Sequence, residues 1–118
     1  MKIRIKDNSV RFRLAQAEVT ALVNDGQVWS KCQFGNGELI YGLVAADTED
    51  LSCTFSGNKV MAKVPSKLLV NWDTDERVGF DSKEDSLFIL IEKDWQCLKP
   101  REHEDESNLY KHPSSPQL

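Results

Sequence analysis

What most restricts the fold of this chain is an alternation of apolar and polar residues that crosses a turn, gives way to a short helical stretch and resumes, and that recurs at an offset of 50 residues. Ile3 and Ile5 alternate with Lys2, Arg4 and Lys6, Asp7-Asn8 is a two-residue turn signal, and Val10, Phe12 and Leu14 resume the alternation. That pattern predicts a β-hairpin with one apolar face. Between Gln16 and Asn24 the apolar Val19, Leu22 and Val23 recur at helical spacing, and Asn24-Asp25-Gly26 is a stop signal. Val28 to Phe34 and Leu39 to Ala45 read as two strands around Gly35-Asn36-Gly37, whose glycines accept the positive φ of a tight turn. The first half is therefore ββαββ.

The second half repeats the order. Leu51, Cys53 and Phe55 alternate, Gly57-Asn58 turns, Val60, Ala62 and Val64 alternate again, and Pro65 stands where a helix begins. Leu68, Leu69 and Trp72 mark a helix face ending at Asp73 to Glu76. Val78 to Phe80 and Leu87 to Ile91 follow as strands joined through Ser82-Lys83-Glu84-Asp85. Under the offset, Asn8 falls on Asn58, Val10 on Val60, Leu14 on Val64, Val19 on Leu69 and Leu22 on Trp72. The competing reading is that any two alternating hairpins with a helix between them align at some offset. Size favours duplication, because one unit of about 45 residues buries too little surface to stand alone, whereas two sharing a core reach a workable size. The expected fold is α+β: an internally duplicated ββαββ unit forming a small barrel-like or two-layer domain over residues 1–94, with pseudo-repeats 1–46 and 50–93. Residues 95–118 read as an acidic, partly flexible tail.

Bulk properties narrow the class. The longest apolar runs, Leu87 to Ile91 and Leu43 to Ala46, are far short of the roughly 20 residues a spanning helix needs, and the N-terminal cation-isoleucine alternation is unlike the uninterrupted apolar stretch of a secretory signal. Cys32, Cys53 and Cys97 are odd in number, widely spaced and without a C-x-x-C, so neither a disulfide framework nor a zinc knuckle is indicated. Two of them fall in strand patterns and read as small buried hydrophobes. A reduced, cytoplasmic setting is expected.

Charge is unevenly placed. Residues 1–14 carry Lys2, Arg4, Lys6, Arg11 and Arg13 against Asp7, a net +4, which leaves −8 for the remainder of a chain whose total is −4. Because strand side chains alternate, all five cations point away from the face that carries Ile3, Ile5, Val10, Phe12 and Leu14. Like charges facing each other across strands repel, so an acidic segment of the chain, a phosphate-bearing ligand or water must compensate. The bland account is a solvated, aggregation-resistant edge. The functional one is recognition of nucleic acid or another polyanion by guanidinium forks. Phe12 belongs to the opposite face, so base stacking on this hairpin is not expected.

The tail mixes Glu104, Asp105 and Glu106 with the anchors Trp95, Leu98 and Tyr110, the combination a docking segment uses: charge for steering and apolar groups for burial. A protein partner held through these residues is the alternative reading. Chemistry has thin support. His103 and His112 both fall in the tail, where a general base would lack a rigid setting, and a Cys97, His103, His112 zinc set lacks tight ligand pairs. Gly35 and Gly37 lie between strands rather than before a helix, so no phosphate-cradling loop is present. Neither catalytic residues, a metal nor a cofactor is assigned.

Two resemblances accompany this reading. Asn58 to Leu69, then Asp75-Glu76-Arg77-Val78-Gly79-Phe80 and Ser86 to Ile89, resemble the swapped-hairpin unit of the AbrB and MazE family, in which a strand ending before Pro feeds a short helix and a final hairpin. That resemblance implies a two-lobed barrel like a fused dimer and, in outline, an antitoxin-like module that acts through an acidic tail. The family's usual Gly-Arg at the hairpin is here Asn58-Lys59, and its leucine-glycine helix ending is here Trp72-Asp73-Thr74-Asp75. Over nearly its whole length the chain also resembles an uncharacterised family of short bacterial proteins. The shared features are a Met1 to Lys6 hairpin opening, the Arg11-Phe12-Arg13-Leu14 strand, a Glu92-Lys93-Asp94 segment, a Cys97-Leu98 pair and an acidic Glu104-Asp105-Glu106 tail. The expected function is a non-catalytic binding or regulatory module, monomeric or a weak homodimer and not membrane-bound, with the basic hairpin as its contact surface.

Overall fold

A computed structural model of the chain describes residues 1–84 and 86–94. The elements in order are β1 (Lys2–Lys6), β2 (Ser9–Leu14), α1 (Gln16–Asp25), β3 (Gln27–Phe34), β4 (Gly37–Ala46), β5 (Ser52–Ser56), β6 (Lys59–Pro65), α2 (Ser66–Leu69), β7 (Gly79–Glu84) and β8 (Leu87–Lys93). They form two four-stranded sheets, β1-β2-β8-β7 and β3-β4-β6-β5. Each sheet joins one hairpin from each half of the chain, so neither half is a lobe by itself. At the centre of each sheet the two hairpins meet in parallel, β2 on β8 and β4 on β6. Parallel neighbours need a crossover: between β2 and β8 it carries both helices and the whole second sheet, and between β4 and β6 it is residues 47–58, which include β5. The expected barrel does not close. Pairing ends at β1 and β7 in one sheet and at β3 and β5 in the other, leaving two open sheets packed as layers.

The core is the inward row of every strand. Val10, Phe12, Ile89 and Ile91 from the first sheet meet Leu43, Val60, Ala62 and Val64 from the second, and the layer is closed by Val19, Leu22, Leu69 and Trp72. Positions related by the 50-residue offset are buried in pairs: Val10 with Val60, Phe12 with Ala62, Leu14 with Val64, Val19 with Leu69 and Leu22 with Trp72. Register agrees, since Lys2 pairs with Arg13 as Ser52 does with Lys63, and the Phe88 amide donates to Asn8 as the Ile40 amide does to Asn58.

Local chemistry explains the element ends. The first turn of α1 is closed by Glu18, whose Oε1 accepts from the Ala15 amide at 2.8 Å. Gly26 stops the helix in the left-handed region, at φ 80°, its amide donating to Leu22. In the β5-β6 hairpin Gly57 and Asn58 have φ of 58° and 64°, the pair of positive values that twists a two-residue turn to match its strands.

Several expectations are corrected. The helix face read through Leu68, Leu69 and Trp72 is a single turn. After Leu69 the chain goes extended at Val70 and left-handed at Asn71, and Trp72 reaches the core from an irregular segment. Arg77 organises that segment: its guanidinium donates to the carbonyls of Leu68 and Val70 at 2.8 and 2.9 Å, and Trp72 Nε1 donates to the Arg77 carbonyl at 3.0 Å. Ser82, Lys83 and Glu84 belong to β7 rather than to a connection, because strand pairing with β8 continues to Glu84 opposite Leu87. Ile5, placed on the apolar face, is 62% exposed, as is its counterpart Phe55 at 68%. Both sit near a hairpin turn on an edge strand, while their partners Val10 and Val60 on the inner strands are buried. Cys32 is exposed rather than buried, and Cys53 is half-buried. No helix among the described residues is long and apolar enough to cross a membrane.

Gly42 lies under the Trp29 ring. A Cβ there would stand 2.4 Å from the ring edge and 2.5 Å from the Val28 carbonyl oxygen. Gly42→Ala is expected to lower the unfolding free energy by about 1–3 kcal/mol, measured by urea denaturation with tryptophan fluorescence.

Candidate functional site

The solvent face of the first sheet follows from its register. Alternation sends Val10, Phe12, Ile89 and Ile91 inward, so the residues between them face out, in three rows across the four strands. One row is Lys6, Ser9, Phe88 and Lys83, the next is Arg4, Arg11, Leu90 and Asp81, and the third is Lys2, Arg13, Glu92 and Gly79. All five cations expected from the first hairpin share this face, and β7 adds Lys83.

Compensation comes from β8 and the residue after it. Glu92, only 12% exposed at its side chain, accepts from Arg11 Nε at 2.8 Å and Arg13 Nε at 2.9 Å. Asp94 lies 3.0 Å from Lys2 Nζ and 3.8 Å from Arg13. Lys2, Arg11 and Arg13 thus share two carboxylates, so their charge is reduced and not cancelled. Arg4 and Lys6, both exposed, have no ion pair among the described residues. The five sequence candidates therefore divide: Lys2, Arg11 and Arg13 are held by carboxylates, while Arg4 and Lys6 are exposed and unpaired among the described residues. The tail candidates Trp95, Leu98, Glu104, Asp105, Glu106 and Tyr110, and with them Cys97, His103 and His112, lie outside the described residues.

Two contributors escaped the sequence reading. Glu92 was missed because the apolar run ends at Ile91, although β8 continues to Lys93. Phe88 was missed because the hairpin alone shows no aromatic on its basic side; pairing of Ser9 with Phe88 brings one there, 41% exposed. No sequence pattern pairs β2 with β8 in advance, but the outward parity of Phe88 within its own strand was readable.

A cleft of about 540 Å³ opens where α1 begins, lined by Gln16, Val19, Asp73, Asp75, Lys93 and Asp94 among others. The Lys93 ammonium donates to the Asp75 carbonyl at 2.7 Å and lies 5.6 Å from the centre of the Trp72 ring. Partial burial pushes the Asp75 carboxyl up, but hydrogen bonds from the Arg77 guanidinium and amide, with the charges of Arg77 and Lys93, outweigh it and hold the group below its ordinary value. These groups tie β8 to the irregular segment. Among the described residues no group of three or more His, Cys, Asp or Glu side chains could hold a metal ion.

Fold and face together define a small two-layer α+β domain whose first sheet carries a cationic outer surface. The chain belongs to a family described as "Family of unknown function (DUF7009)", whose model matches residues 1–114. No curated protein and no solved structure matches it significantly.

Glu92→Gln is expected to lower stability by about 1.5–3 kcal/mol, the range for hydrogen bonds to charged groups, and to leave Arg11 and Arg13 with more uncompensated charge. Chemical denaturation checks the first effect, and retention on a cation-exchange column, which should rise, checks the second. Asp75 carries a pH signature. A carboxyl lowered in the folded state stabilises above its unfolded value of about 3.9 and loses that contribution as pH falls through the lowered folded value. Asp75→Asn should flatten the decline of stability with acid below about pH 4, followed by urea denaturation at stepped pH.

Proposed function

We propose that this chain is a non-catalytic binding module and that the outer face of the β1-β2-β8-β7 sheet takes polyanions, nucleic acid foremost. The observation that carries the reading is the division within the cationic face. Arg4 and Lys6 share the face with Lys83 and, among the described residues, have no ion pair, while Glu92 and Asp94 restrain the others. A face meant only to stay soluble gains nothing from holding two guanidinium groups rigidly by one half-buried carboxylate. A face meant to receive phosphates gains a fixed lattice of donors with free cations at one end. The remaining −8 of the chain limits long-range attraction and favours polyanions that fit the face over indiscriminate ones.

The same reading takes the two ββαββ halves as a duplicated unit that has replaced a homodimer. Matched registers and paired burial support it, and so does the exchange of hairpins between sheets, which a swapped-hairpin likeness implies. A bacterial, cytoplasmic setting is part of this reading.

The test is fluorescence anisotropy with a labelled oligonucleotide across about 50 to 200 mM salt. Binding should weaken steeply as salt rises, and Arg4→Ala with Lys6→Ala should reduce the log-log slope by roughly two, about one per phosphate contact removed. A protein that binds no polyanion at the lowest salt contradicts the proposal.

A further inference from the structure

Phe88 stands on the outer face among these cations. Its strand neighbours Ile89 and Ile91 are fully buried, whereas its own ring faces solvent at 41% exposure. It takes part in no ring-ring or cation-ring contact among the described residues. Lys83 is its partner on β7, and Lys6 ends the same row on β1, so cations flank the ring on both sides at about 5 and 10 Å of strand spacing. Leu90 follows one pleat along and extends the apolar strip.

The backbone at this position is also anchored. The Phe88 amide donates to the Asn8 carbonyl at 3.0 Å, and Asn8 Nδ2 donates to the Ser86 carbonyl at 2.7 Å and to Ser86 Oγ at 3.1 Å. The loop of one hairpin is thereby tied to that of the other, and the ring is held beside the free end of the cationic lattice. The second sheet makes the contrast. There Ile40 takes the equivalent place opposite Lys59, and the aromatic on that face, Trp29, already covers Gly42 and receives the Lys59 ammonium at 5.1 Å.

An exposed ring between cations on an open four-stranded sheet suits a polymer with flat apolar groups and regularly spaced negative charge. Resting on the polyanion reading above, we infer that the ligand is single-stranded nucleic acid and that Phe88 is the platform on which one base stacks, with Lys6, Lys83 and Arg4 taking the flanking phosphates. A duplex keeps its bases stacked on each other and gives the ring nothing to cover. A polyphosphate has no base at all. Every base has a flat face to stack, so recognition through Phe88 is tolerant of sequence.

The experiment measures the affinity of the full chain, at low salt, for a labelled single strand of about 12 nucleotides, within the range such sites cover. The comparisons are an abasic strand of equal length, the matching duplex and inorganic polyphosphate. The single strand should bind about tenfold more tightly than the abasic strand. Phe88→Ala should erase that difference while leaving abasic binding unchanged, which also reports that the variant is folded, and Phe88→Trp should keep it. Equal affinity for base-bearing and abasic strands, or tighter binding of the duplex, overturns the stacking role and leaves the polyanion reading standing. No binding to any of the four overturns both.

Discussion

Parallel pairing of β2 with β8 is the interaction on which the rest of the structure depends. It brings Val10 and Phe12 beside Ile89 and Ile91, completing one wall of the core. In the same stroke it sets Arg11 and Arg13 against Glu92 on the other side of the sheet. A one-residue slip would turn Glu92 inward and Ile91 out. Burial of apolar side chains on one face therefore fixes the charge pattern on the other, and the half-buried carboxylate in turn penalises any register that leaves its two guanidinium partners unpaired.

The first sheet also shows how an acidic protein keeps a basic surface. Its cations are ordered by β8 and by Asp94, so the balance between fixed and free charge is decided within about one strand. Asn8 and Ser86 join the two loops at the other end of that sheet. These ties join the two hairpins at both ends of the face and hold Lys2, Arg11 and Arg13 in place, so those three side chains have less freedom left to lose on binding.

Much of this was legible in the residues. The hairpins, the first helix and the buried rows follow from alternation and from turn residues such as Gly57-Asn58 and Gly26, because strand and helix periods leave direct marks. The outward direction of Lys2, Arg4, Lys6, Arg11 and Arg13 follows from the same rule. What was not legible is non-local. That β2 finds β8, so that Glu92 and Phe88 join the cationic face, depends on pairing between distant strands that no local pattern encodes. The short α2 escaped because Leu68, Leu69 and Trp72 keep helical spacing, while the left-handed backbone at Asn71 and the Arg77 contacts that break the helix are tertiary. The extension of β7 through Lys83 escaped because a polar edge strand looks like a loop.

The two sheets draw on the chain differently. The second is made wholly of residues between Gln27 and Pro65, whereas the first joins Lys2–Leu14 to Gly79–Lys93. Contacts between nearby segments form early, and those that close long loops form late. During synthesis the inner sheet can assemble while the outer one still lacks half its strands, and the opening hairpin must wait, its arginines without Glu92, until the eighth strand leaves the ribosome. A chain truncated before that strand would lack Ile89 and Ile91 from the shared core as well as the carboxylate that orders the arginines, so core and charged platform are completed by the same late event.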